Sequence, residues 1–134
     1  MHYNLTLPWP PTVNSYYAKT KRGVFISKRG RTFRDAVNSA LDEQMCFNLR
    51  LDFRLDVRVI LYPPDKRCRD LDNYMKSLLD ALTKAGFWID DEQIDELAIM
   101  RGKIVKPGGK TLMQITQHHG MIMPDLPNVW DFLE

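Results

Sequence analysis

At 134 residues the chain is long enough for one domain whose core needs no disulfide or metal staple, and 44% hydrophobic with 27% charged residues is ordinary soluble composition. No apolar run reaches the length of a membrane span and the N-terminus lacks a signal pattern, while Cys46 and Cys68 are too few for a disulfide framework and have no metal-ligand spacing. A reduced, cytoplasmic setting is expected. The formal charge of +2 hides an asymmetry, because Lys19, Lys21, Arg22, Lys28, Arg29, Arg31 and Arg34 cluster within residues 19–34 with no acid among them. Clustered basic charge is the footprint of a phosphate backbone, although a solvated helix face has the same composition.

Tyr3, Leu5 and Leu7 alternate with polar residues and predict a short strand, ended by the stiff segment Pro8-Trp9-Pro10-Pro11. Lys21-Arg22-Gly23 has the look of a basic hairpin tip or loop. Ser27 is a plausible N-cap for a helix over about 29–47, with Phe33, Ala36, Val37, Ala40, Leu41 and Met45 at helical spacing. The alternation from Leu49 to Leu61 predicts a strand with one face buried, stopped by Pro63-Pro64. A second helix is expected from Asp72 to Ala85, with Leu71, Met75, Leu78, Leu79 and Leu82 inward and Gly86 just past its end. A strand near 94–105, a turn at Pro107-Gly108-Gly109 and a return strand near 111–117 complete the order. The fold class is α+β, a single domain with a mixed sheet and two helices in the order β-α-β-α-β-β, its middle unit long enough for a parallel crossover. Domain limits of 1–118 are expected, with 119–134 as a C-terminal extension that is apolar and carries only Asp125, Asp131 and Glu134 as charges from Gly120 onward.

The chemistry concentrates in Arg69-Asp70-Leu71-Asp72-Asn73, Lys76 and Asp90-Asp91. Carboxylates at this density repel one another unless a cation lies between them, and hard oxygen donors suit Mg²⁺ or Mn²⁺. In extended chain Asp70 and Asp72 point the same way and can share one ion, while the plainer reading has Asp72 capping the helix. Asp72, Lys76 and Asp80 share a helix face. They fit a surface ion-pair ladder as well as they fit a lysine set beside a scissile phosphate. Spacing alone does not bring Asp91 to Asp70. His118 and His119 are adjacent near a strand end and make no metal spacing, and no Ser or Cys has nucleophile context, so attack by metal-activated water fits better than covalent catalysis.

Leu7-Pro8-Trp9-Pro10-Pro11, the 69–73 run with Lys76, and the block from Asp80 to Asp91 resemble the RusA family of Holliday-junction resolvases, in order and spacing over residues 3 to about 117. The resemblance implies a homodimeric, Mg²⁺-dependent endonuclease of DNA recombination and repair that makes paired nicks across four-way junction DNA. It implies Asp70, Asp72 and Asp91 as metal-binding catalytic carboxylates, Lys76 as the essential lysine, and Arg69 with Lys19, Lys21, Arg22, Lys28, Arg29, Arg31 and Arg34 on DNA. Trp9 and the Phe87-Trp88 pair are candidates for the dimer interface or for core packing within one chain. A nuclease of flaps or forks, or a catalytically silent junction-binding module, are the rival readings.

Overall fold

Strand β1 (His2–Leu7) turns Leu5 and Leu7 inward, each 2% exposed, as the alternation requires. The structure is a computed structural model and describes residues 1–119. After β1 come a one-turn helix α1 (Val13–Tyr16), strands β2 (Tyr17–Thr20) and β3 (Gly23–Ile26), helix α2 (Lys28–Glu43), strand β4 (Leu55–Tyr62), helix α3 (Met75–Lys84), and strands β5 (Ile94–Arg101) and β6 (Lys110–Gln117). Short 3₁₀ turns at Leu71–Tyr74 and Asp91–Gln93 introduce α3 and β5. The expected mixed sheet and two long helices are present, with α1 and a separate β2–β3 hairpin added ahead of α2. From Gly120 onward the expected C-terminal extension lies outside the described residues.

Local sequence signals decide several boundaries. The Ser27 hydroxyl accepts from the Gly30 amide at 2.9 Å and caps α2 as expected. Gly86 takes φ +71° directly after the end of α3, the left-handed geometry that glycine adopts without steric cost. The strand expected from Leu49 begins only at Leu55, because Met45, Asn48 and Arg50 adopt φ of 59°, 57° and 55° and break the extended run. Leu51 keeps an isolated parallel bridge to Trp88.

The sheet order is β1-β6-β4-β5, with β4 and β5 parallel and β6 antiparallel to both β1 and β4. The parallel crossover is therefore as expected, but the hairpin is not. β5 and β6 are not neighbours, and the glycine turn carries the chain past β4 to its other edge. Burial explains the choice. The inward residues of β6, Thr111, Met113 and Ile115, are at most 2% exposed and need strands on both sides, whereas β5 shows Leu97 41% and Met100 57% exposed and suits an edge.

Helices α2 and α3 cover one face of the sheet through Phe33, Val37, Leu41, Leu78, Ala81 and Leu82, closing one core with Leu55, Val57, Val59 and Leu61. Each large apolar side chain fully removed from water contributes about 1.5–3 kcal/mol. Phe87 and Trp88 are fully buried in this same core, and the Trp88 indole N–H donates to Thr83 Oγ1 at 2.7 Å. Core packing, not an interface, is the role of that pair.

Candidate active site

Beyond Pro64 the chain reaches Asp70 in extended geometry, at the cap position of the 3₁₀ turn Leu71–Tyr74, with Asp72 in its first turn. Asp70 makes no cap hydrogen bond, and among the described residues no donor reaches either carboxylate. The plainer capping role is therefore not realised. Both acids stand on a loop that is held from behind. Trp9 packs on Tyr74 with ring centroids 4.8 Å apart, and the Ser77 hydroxyl donates to the Pro11 carbonyl at 2.6 Å. The Pro-Trp-Pro-Pro segment thus buttresses the acidic loop, and Trp9 is engaged within its own chain.

Arg69 belongs to that buttress. Its guanidinium lies 2.8 Å from Asp65 and 5.6 Å from the Trp9 ring centroid, with only 12% of its side chain exposed. Arg101 donates to the Arg69 carbonyl at 3.0 Å. The Arg69 guanidinium in turn holds the Asp65 carboxyl below its usual range.

Lys76 lies exposed on the first turn of α3, and among the described residues it makes no ion pair. The Asp72–Lys76–Asp80 ladder is absent, because Asp80 turns toward α2. There it accepts from Arg34 Nη2 at 2.8 Å and from the Tyr16 hydroxyl, while Arg34 Nε donates to the same hydroxyl at 2.6 Å. Burial first, then the hydrogen bond to Asp80, push the Tyr16 hydroxyl up. This cluster ties α1, α2 and α3 together, so Arg34 is an internal brace and not a free cation.

Asp91 arrives by a well-fixed route. The Leu51 amide donates to Phe87 O at 3.0 Å and the Ile89 amide to Leu51 O at 3.2 Å, which returns the chain along the 48–51 segment. Asp90 caps the next turn by accepting from the Glu92 amide at 3.0 Å. Gln93, 8% exposed, accepts from the Ile89 and Asp90 amides at 3.0 and 2.8 Å and donates to the Leu51 and Phe53 carbonyls at 2.9 Å. Asp90 and Gln93 are engaged in a capping box, leaving Asp91 for other work. Partial burial, then the Asp90 carboxyl, raise the Asp91 carboxyl above its ordinary range. The Lys76 charge pulls it down, while the Asp90 and Asp80 charges add to the push. Asp91 therefore lies within the electrostatic reach of the lysine that follows Asp72 by one turn.

The basic stretch forms the β2–β3 hairpin and the start of α2. Lys19, Lys21, Arg22, Lys28, Arg29 and Arg31 are exposed, with Lys21 and Arg22 at the tip and Gly23 at φ +128°. A cleft of about 630 Å³ runs between Arg29 and Thr32 of α2 and the segment that leads into the acidic loop, lined by Trp9, Thr12, Arg67, Arg69 and Tyr74 among others.

The one group of three potential ligands, among the described residues, whose ligand atoms all lie within 4.8 Å of one another is Asp56, Glu96 and His118. Asp70, Asp72 and Asp91 are not drawn that close. The 56–96–118 group escaped sequence reasoning because the strand register alone unites it. The Asp90-to-Gln93 spacing, by contrast, is a capping-box signal that the sequence itself carries.

Carboxylates and a lysine that make no hydrogen bond or ion pair among the described residues, with exposed basic side chains on the β2–β3 hairpin and α2, are the kinds of group that phosphodiester hydrolysis draws on. The chain belongs to the RusA family: the family described as Endodeoxyribonuclease RusA matches residues 8–129. It is 39% identical over 115 residues to the crossover junction endodeoxyribonuclease RusA of Shigella sonnei (strain Ss046), covering 86% of this chain and 94% of that protein. The RusA protein of Escherichia coli (strain K12), at 38%, and that of Enterobacteria phage 82, at 39%, match with the same coverage. All three bear the name crossover junction endodeoxyribonuclease.

Proposed function

We propose that this chain is a homodimeric, Mg²⁺-dependent endodeoxyribonuclease that resolves four-way DNA junctions by paired symmetric nicks in recombination and repair. The observation that carries the reading is the loop of Asp70 and Asp72, which no donor among the described residues engages, set on a braced scaffold in a chain of the RusA family. A donor set of carboxylate oxygens only fits a hard divalent cation, with Mn²⁺ a plausible substitute. Asp70, Asp72 and Asp91 would hold that ion, and when bound it supplies Lewis acidity and a more acidic water.

The protein's own part is positioning and charge. Gln93 fixes the Asp91 turn and the Trp9–Tyr74 pack fixes the 70–74 turn, so only the carboxylate side chains need to move to meet one ion. Lys76, unpaired and exposed beside them, stabilises negative charge building on the phosphate in the transition state. Lys19, Lys21, Arg22, Lys28, Arg29 and Arg31 carry the DNA backbone, while Arg69 and Arg34 act mainly as braces behind that surface.

The test is Asp72→Asn on a synthetic four-way junction, with a linear duplex beside it and with or without Mg²⁺. Cleavage of the junction should collapse, and junction binding should persist or tighten as acid–phosphate repulsion is relieved. Full cleavage by this variant in Mg²⁺ contradicts the assignment. Equal cutting of flaps or forks by the unaltered chain would favour the broader nuclease reading over junction selectivity.

A further inference from the structure

The sheet face away from α2 and α3 carries its own polar constellation, remote in sequence from the acidic loop. Asp56 on β4 faces Glu96 across the parallel pairing with β5. His118 stands one residue beyond β6, its backbone N–H held by the Arg54 carbonyl at 2.8 Å. One imidazole nitrogen, Nδ1, lies 2.7 Å from Asp56 Oδ1, and donor atoms of all three side chains lie within 4.8 Å of one another. The other imidazole nitrogen, Nε2, points to Asp95 at 3.9 Å, and Asp95 is itself gripped by Arg54 at 2.6 Å. Beside the group opens a cleft of about 540 Å³ bordered by His2, Asp56, Arg58, Glu96, Gln114 and Thr116, so two of the three side chains face solvent-accessible space.

We propose that Asp56, Glu96 and His118 form a second cation site, selective for a first-row transition ion of the Zn²⁺ class over Mg²⁺. Ligand bonds of about 2.0–2.2 Å are reached from the present separations by small side-chain rotations. Imidazole with two carboxylates favours Zn²⁺, whereas Mg²⁺ prefers an all-oxygen shell. The ion would join β4, β5 and the chain leaving β6. Glu96 follows Asp91 by five residues, so the same ion would also anchor the strand that begins at the Asp91 turn. The site needs nothing from the nuclease reading.

The test uses Zn²⁺ alone, titrated against a chromophoric chelator, on the full chain carrying Asp70→Asn, Asp72→Asn and Asp91→Asn. One Zn²⁺ per chain should remain, with Mg²⁺ at equal concentration failing to displace it. Adding His118→Ala or Asp56→Asn should weaken it about tenfold or more, the loss typical of a removed ligand or its support. His119→Ala should leave it unchanged. No bound Zn²⁺, or binding indifferent to His118→Ala, overturns the proposal. Should His118→Ala fail to fold, the imidazole resonances of the unaltered chain decide. A Zn²⁺-dependent shift confined to His118 supports the site, and shifts of His2 or His119 alone overturn it. Since cleavage is not the readout, this result and the Mg²⁺ cleavage result fail independently.

Discussion

Lys76 and Gln93 do opposite kinds of work near Asp91. Lys76 has no ion-pair partner among the described residues, and its charge acts on Asp91 across space. Lys76→Ala is therefore expected to cut the cleavage rate at saturating junction far more than it weakens binding, with roughly 2–4 kcal/mol of transition-state stabilisation removed. Rate and affinity falling together would mark Lys76 as an ordinary phosphate ligand. Gln93 works through the backbone. Replacing it with Leu leaves the Phe53 carbonyl and the Asp90 amide without their side-chain partner, while the Leu51 carbonyl and the Ile89 amide keep only their bond to each other. Each buried group left unsatisfied costs roughly 1–3 kcal/mol, so the urea midpoint of Gln93→Leu should fall clearly. Its cleavage rate well below the unfolding transition should fall as well, because the Asp91 turn loses its anchor. An unchanged midpoint would mean that water satisfies the groups that Gln93 leaves.

Among the elements, the β2–β3 hairpin and the start of α2 are where nonspecific affinity should reside. Changing Lys21, Arg22 and Arg29 to Ala together should lower the slope of log K against log salt by about 0.9 for each phosphate no longer neutralised, equally for junctions of different sequence. A slope unaltered by the triple change places DNA elsewhere. Arg34, within the same run, should behave differently, since Arg34→Ala removes an ion pair only 18–25% exposed and so acts on stability first. Charge counting did not separate Arg34 from its neighbours, for only the packing of α2 on α3 turns it to Asp80. Local chemistry read well where it acts locally, as at the Ser27 cap, Gly86 and the alternation of β4. It failed where long-range pairing decides, as in placing β6 between β1 and β4, or in joining Asp56, Glu96 and His118. It failed also at Met45 and Arg50, whose left-handed backbone no propensity announces, whereas Asn48 is of a type that takes that conformation more readily.

For the molecule as a whole, the proposed function sets a symmetry requirement. One chain offers one acidic loop, and two nicks placed symmetrically across a four-way junction call for two such loops related by a two-fold axis. With Phe87 and Trp88 buried and Trp9 on Tyr74, the aromatic residues that looked available for pairing are engaged within the chain. Under this proposal the two-fold interface would not draw on Phe87 and Trp88. Mixed dimers of one unaltered chain and one Asp72→Asn chain, isolated with two different affinity tags, test the requirement directly. On a supercoiled plasmid that extrudes a cruciform, the unaltered dimer should yield linear product, because both opposing strands are cut within one complex. The mixed dimer should stop at the nicked circle, as its second site lacks one of its carboxylates. Linear product formed by the mixed dimer at the unaltered rate would show that one acidic loop serves both strands, and the two-site arrangement would have to be abandoned.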